Sequence, residues 1–346
     1  MIVDIIKTKL KIIYSYLLAL GIAYLKPEKL NLKSSKVAFI MFAANYNNLG
    51  DIAITKAQTE FLKRNLSKDY EIVPISVEKT FHVYKSMKKV INKDTIITLI
   101  GGGNSGTTYE FIEWPRRFVL SQFKNCRIIS FPQSVYYGES DRDNLYKNEF
   151  INICKRCNNL TLIAREQQSY DIYKEMLGNS VRILLTPDIV FSLNEIEKTD
   201  RKGVSIIFRN DIEKAIDSKT EEKIKNYCKI KEYQVTYDDT CDVHITGNGF
   251  YELRAFVNKI KKKELVITDR LHGMILAYIT GTPCIALDNN NHKIKSTYDT
   301  WLGDCGRITL IDKDDDLDGI TFDDGFIDLS TYFEPIKKVL SNIKEM

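Results

Sequence analysis

Residues 265–289 read LVITDRLHGMILAYITGTPCIALDN. Leu265–Thr268 is a short β-favouring apolar run, Gly273–Ile279 has a helical apolar period, and Cys284–Leu287 is a second apolar run. A strand, a helix and a strand at this spacing make a βαβ unit, which joins parallel strands through a crossover helix. The alternation extends outward in both directions. Upstream stand the strand Gly203–Phe208 (GVSIIF) and a charged helix from about Glu213 to Lys229, and downstream Ile308–Ile311 adds another strand.

The N-terminal part repeats the pattern. Lys36–Phe42 (KVAFIMF) leads through a polar loop to Asp51 and an amphipathic helix ending near Leu66. Thr95–Ile100 runs into a glycine loop, and Arg127–Phe131, Leu160–Ala164 and Arg182–Leu185 read as further strands of the same sheet. The charged stretch Asn194–Lys202 (NEIEKTDRK) breaks the apolar pattern and reads as an interdomain linker. The chain's 346 residues exceed the size at which one core usually stops growing. The expected fold class is therefore α/β, with two Rossmann-like domains facing a cleft, at 34–193 and 203–312. A basic amphipathic segment (1–33) precedes them, and a tail (313–346) follows with an acidic loop, Asp312–Asp318, and a terminal helix.

Composition narrows the function. A net charge of +4, without a clustered basic face, argues against nucleic acid. The seven scattered cysteines fit reduced thiols in a cytoplasmic protein, and the single CxxC, Cys154 and Cys157, lacks the second pair that a zinc site needs. No metal is expected. Ile12–Leu25 is uncharged and follows Lys7, Lys9 and Lys11. It is shorter than the roughly 20 residues of a spanning helix. Ala19 and Gly21 offer a signal-peptide site. The preferred reading is an interfacial helix within residues 1–30, with lysines toward anionic headgroups and Tyr14, Leu17, Leu18 and Leu25 toward the acyl boundary. A helix packed on the protein's own surface is the alternative.

In doubly wound sheets, ligands sit beyond the carboxyl ends of the strands, so the loops there are where chemistry belongs. In Asn45–Asp51 (NYNNLGD), Asp51 sits where a helix N-cap would, or points outward as a base for a ligand hydroxyl, with Asn47 and Asn48 as hydroxyl partners. Gly101, Gly103 and Gly106 satisfy GxGxxG, but the following strand ends Ser130-Phe131-Pro132 without the acid that NAD recognition wants. The loop instead reads as a place where ligand approaches the backbone of Gly102 and Gly103, with Asn104 adding a polar contact. Arg165, at a strand's carboxyl end, suits a carboxylate or phosphate, or else an ion pair with Glu166 or another acid. Arg209 has the equivalent place after GVSIIF. The densest group is Asp269-Arg270-Leu271-His272, where cationic side chains meet a helix N-terminus and make an anion site. Asp288–Lys293 (DNNNHK) is either a plain turn or a loop that turns His292 and Lys293 toward the same cleft.

These pieces resemble the polysaccharide pyruvyltransferase family. The matching motifs are NNLGDIAI (Asn47–Ile54), IGGGN (Ile100–Asn104), PQS (Pro132–Ser134), ARE (Ala164–Glu166), PD (Pro187–Asp188), TDRLHGMILAYITGTPCIALDN (Thr268–Asn289) and YDTW (Tyr298–Trp301). The resemblance implies a fold like that of the GT-B glycosyltransferases, phosphoenolpyruvate as donor, and a glycan or lipid-linked oligosaccharide as acceptor, with no cofactor. It implies donor contacts from Arg165, Arg270, His272 and the backbone of Leu271; Arg209, Gly102, Gly103 and Asn104 are further donor candidates from their positions after strands. Acceptor candidates on the N-terminal domain are Asn47, Asn48 and Asp51, joined by Asn289. His272 is the candidate acid; Asp51 or Asp269 is the base, with Asp269 alternatively orienting His272 or Arg270. The enzymatic competitor is a nucleotide-sugar glycosyltransferase, and the non-enzymatic one a membrane-associated scaffold that has lost turnover.

Overall fold

A computed structural model describes residues 2–211 and 214–341, with side chains from residue 6 onward. The strands are β1 Lys36–Ala43, β2 Tyr70–Ser76, β3 Ile96–Leu99, β4 Gly102–Gly106, β5 Arg127–Tyr136, β6 Asn159–Ala164, β7 Arg182–Leu185, β8 Val204–Ile207, β9 Val235–Tyr237, β10 Leu265–Thr268, β11 Cys284–Leu287 and β12 Ile308–Ile311. The helices are α1 Ile2–Leu25, α2 Leu49–Asn65, α3 Thr80–Val90, α4 Glu110–Gln122, α5 Asp141–Lys155, α6 Gln167–Leu177, α7 Ser218–Ile230, α8 Phe250–Lys261, α9 Leu271–Ile279, α10 Lys293–Thr297 and α11 Glu334–Ser341. They form two compact units. The first gathers Met1–Ala44, Gln58–Asp188 and Glu334–Met346, and the second Asn45–Ala57 and Ile189–Phe333.

Both units are doubly wound. In the first, all strand pairs are parallel in the order β2-β1-β3-β5-β6-β7, with β4 paired to the far half of β5. Strands β1, β3 and β6 are near-continuous buried runs of Val, Ile, Leu and Phe, as expected of a parallel sheet covered on both faces. Strand β5 continues through Pro132, past the expected end at Phe131. A register shift between Ser130 and Gln133 accommodates the proline, which cannot donate to the ladder. The second unit has five parallel strands in the order β12-β11-β10-β8-β9. Its core is built on Val204, Ile206, Leu265, Ile267, Ile285 and Leu287.

The strands read from apolar runs are all present, within a few residues at each end. Strands β2, β4 and β9 went unread: β2 and β9 are edge strands with mostly half-buried residues and show no buried apolar run, and β4 occupies the stretch read as a glycine loop. Helix α7 begins at Ser218, where Asp217 Oδ1 accepts from Thr220 N at 2.8 Å. Glu213, the start expected from sequence, lies outside the described residues, as do the last five residues of the terminal helix. The units also cut the chain differently from the sequence boundaries. Asn45–Ala57 belongs with the C-terminal sheet, and Glu334–Ser341 with the N-terminal one.

Candidate active site

Counted within the second unit, the strand order is 2-1-3-4-5, so the direction of winding reverses between β8 and β10. The crevice outside such a switch point is where doubly wound sheets take ligands. Four sequence candidates meet there. Arg209 follows β8, while Asp269, Arg270 and Leu271 follow β10 and open α9.

Asp269 is fully buried, and its Oδ1 accepts from the backbone N–H of Arg209 at 2.7 Å. Its Oδ2 finds no hydrogen-bond partner among the described residues. Burial disfavours the anion and pushes the carboxyl up to about 6, against the opposing pull of the Arg209 amide and of the Arg209 and Arg270 charges. Asp269 thus braces the loop after β8.

Arg270 is 6% exposed, and acids hold it. Its Nη2 lies 2.7 Å from Asp239 Oδ1 and its Nη1 3.8 Å from Asp211 Oδ2, while Nη1 also donates to Cys241 Sγ at 3.1 Å. Arg209 grips both oxygens of Asp211, at 2.9 and 3.0 Å. The acid partners are part-exposed, whereas the arginine is nearly buried. Burial raises the Cys241 thiol against the Arg270 charge, which keeps it protonated. Asp211, Asp239 and Cys241 were not singled out from sequence. Asp239 and Cys241 follow the short strand β9, and that position at a strand's carboxyl end was the available signal.

The loop after β1 completes the group from within the same unit. Leu49 N donates to Thr240 O at 2.8 Å, tying this loop to the one carrying Asp239 and Cys241. A Cβ at Gly50 would stand 2.3 Å from His272 Nδ1, so the glycine lets the imidazole lie against the first turn of α2. The cap of α2 is Asn48, whose Oδ1 accepts from Gly50 N at 3.0 Å and Asp51 N at 3.3 Å. Asp51 is thereby released from capping and lies in the first turn of α2, where Tyr46 donates to its Oδ2 at 2.9 Å. Asn47 is exposed. Leu271 is buried at the start of α9. Thr268 Oγ1 donates to Ile207 O at 2.7 Å and accepts from Arg270 N at 3.0 Å, and Gly273 leaves room for that hydroxyl.

The other candidates have different settings. Asn289 is buried, its Oδ1 accepting from Lys293 N at 3.3 Å at the start of α10. His292 is well exposed, its Nδ1 on Asp288 Oδ2 at 2.6 Å. In the first unit, Arg165 is 2% exposed: Nη1 donates to Asp188 at 2.8 Å and Nε to Ser134 Oγ at 2.7 Å, and Glu166 stands 3.4 Å away. The ion-pair alternative is therefore realised, and it links the PQS, ARE and PD motifs into one buried network. Gly102 and Gly106 pair β4 to β5 at φ of 115° and 112°, and a Cβ at Gly106 would strike Tyr136 O. Gly103 lies between them in the strand. Asn104 holds the buried Arg116 through both its carbonyls, beside the buried pair Arg116–Glu113 and the part-buried pair Arg117–Glu149.

Two doubly wound parallel units, with arginines, a histidine and a buried acid at the switch point of the second, make a GT-B-like α/β fold. The chain belongs to the polysaccharide pyruvyl transferase family, which matches residues 48–291, and is an enzyme of that family. It is 35% identical over 297 residues to General stress protein 30 of Bacillus subtilis, covering 84% of each chain. It is 29% identical over 303 residues to Pyruvyl transferase 1 of Schizosaccharomyces pombe, covering 81% of this chain and 74% of that one. Among solved structures, an uncharacterized Klebsiella pneumoniae protein shares the fold at a TM-score of 0.54 and 20% identity, over 88% of this chain and 98% of that one.

Proposed function

We propose that the chain transfers the enolpyruvyl carbons of phosphoenolpyruvate to two hydroxyls of a sugar in a surface or capsular polysaccharide precursor, forming a cyclic ketal and releasing phosphate. The observation that carries this reading is the meeting of Arg209, Asp269, Arg270 and His272 with the Gly50–Asp51 turn in one unit. The donor is polyanionic, and Arg270 with Arg209 supplies positive charge for its carboxylate and phosphate. Protonation of the donor's methylene carbon, assigned to His272, leaves an oxocarbenium-like centre at C2. One sugar hydroxyl attacks there and gives its proton to a carboxylate. Phosphate then leaves, and the second hydroxyl closes the ketal with loss of its own proton. Asp269, whose carboxyl burial pushes up to about 6, and Asp51 are the candidate bases for these protons. No cofactor is needed, and phosphoenolpyruvate is the co-substrate.

The acceptor side is read on the same unit. A pocket of about 670 Å³ borders this group through Leu49 and Asp239 and is lined by Phe208, Tyr237, Asp242 and Tyr251. Exposed tyrosine rings suit the C–H face of a pyranose, and carboxylates accept its hydroxyl hydrogens. A lipid-linked oligosaccharide presented at the cytoplasmic face of the cell membrane is the proposed acceptor.

The test is purified protein with phosphoenolpyruvate and a panel of galactosides, glucosides and N-acetylmannosaminides, following product mass and released phosphate. The expected product has gained one pyruvate less one water, and both Arg270→Ala and His272→Ala lose at least about 10²-fold in kcat/KM. A panel turned over with nucleotide sugars, and not with phosphoenolpyruvate, would replace this reading with glycosyl transfer.

A further inference from the structure

Helix α1 has two apolar faces. One faces inward: Thr8, Ala19 and Ala23 are buried, and the Tyr16 ring lies 6.3 and 5.9 Å from those of Trp114 and Phe118 of α4. Along the same side the helix packs on α3 and α5. The other faces outward. Ile6, Leu10, Ile13, Leu17 and Tyr24 fall in one stripe along a helix, flanked by Tyr14 and Leu25, and each is exposed by half or more. Apolar surface this continuous on a folded protein marks a contact with something else.

Charge selects the partner. Ile6–Leu25 and Thr80–Val90 together carry six lysines (7, 9, 11, 85, 88 and 89) and no acidic residue. Lys85 Nζ stands 5.4 Å over the Tyr24 ring, which joins the α3 lysines to the end of the stripe. A second copy of the chain would set these lysines against their own kind, whereas anionic headgroups neutralise them. Ile6–Leu25 has the length and apolarity of a spanning helix. Fastened along its side to the first unit, however, it is held flat. We infer that α1, together with the lysines of α3, is a docking face for an anionic lipid surface, with the helix lying in the plane of the interface. The inference stands on surface chemistry and is independent of which donor the enzyme uses.

Co-sedimentation of the full chain with vesicles tests it. The chain is expected to pellet with phosphatidylcholine vesicles containing phosphatidylglycerol and to stay in solution with phosphatidylcholine alone. Leu10→Glu/Leu17→Glu abolishes pelleting, and Lys85→Glu/Lys88→Glu/Lys89→Glu weakens it by about tenfold or more. All these positions are exposed, so thermal melts of both variants match the parent. A parent chain that stays in the supernatant, or a leucine variant that pellets equally, overturns the inference. A concentration-dependent dimer that the leucine variant dissociates, without vesicle binding, assigns the face to a second copy instead.

Discussion

Asp269 concentrates the conflict between stability and chemistry in one carboxyl. Folded, it holds its proton to about pH 6; unfolded, it would release it near 3.8. The folded state therefore binds more protons across that window, and stability falls as pH rises through it. Above the window, the buried charge costs on the order of 3 kcal/mol. Asp269→Asn keeps an acceptor for the Arg209 amide and removes that charge. It is expected to raise stability by about 1–3 kcal/mol near pH 8, with little gain near pH 4, as measured by urea melts at both values. The same variant should lose about 10²-fold or more in kcat, because a proton acceptor has gone. A variant no more stable near pH 8 than the parent would mean that the charge is accommodated at no cost.

At the scale of elements, each unit uses the same device differently. In the second unit, arginines at strand ends are paired to part-exposed acids and sit at the switch point. In the first, Arg165 after β6 is locked to Asp188 after β7 and to Ser134 of β5, so it stitches the carboxyl ends of three neighbouring strands together. Removing one partner of a buried pair leaves an uncompensated charge, which costs about 3–5 kcal/mol. Asp188→Ala is expected to lower unfolding stability by that amount in a denaturant titration. An unchanged midpoint would show that the network does not hold these strand ends, and would return Arg165 to the donor-contact role that the family resemblance gives it.

For the whole molecule, the consequence is that the chain does not divide where its composition suggests. The second unit draws in Asn45–Ala57 from far upstream, and the first recruits α11, whose Ile336, Val339 and Leu340 are buried. Fragments 34–193 and 203–312, expressed separately, are each expected to lack a cooperative thermal transition, since each has lost part of its own packing. A sharp melt from either fragment would show that the exchanged segments are dispensable for that fold.

The amino-acid sequence by itself determined the α/β class, most strands of both sheets, and the group that opens α9. Apolar runs such as Leu265–Thr268 and helical periods such as Gly273–Ile279 are local patterns, and a strand followed by Asp269-Arg270-Leu271-His272 places chemistry at a strand's carboxyl end without further information. Tertiary structure alone decided who meets whom. It set Asn48 rather than Asp51 as the cap of α2, laid His272 against Gly50, gave Arg270 to Asp239 and Cys241, and buried Arg165 on Asp188. It also buried Arg116 and Arg117 of α4 in the first unit. Apart from the Asn48 cap, each of these pairings joins residues on different loops or elements, or depends on burial. The free energy that selects them comes from desolvation and long-range packing, which leave no periodic trace in the chain.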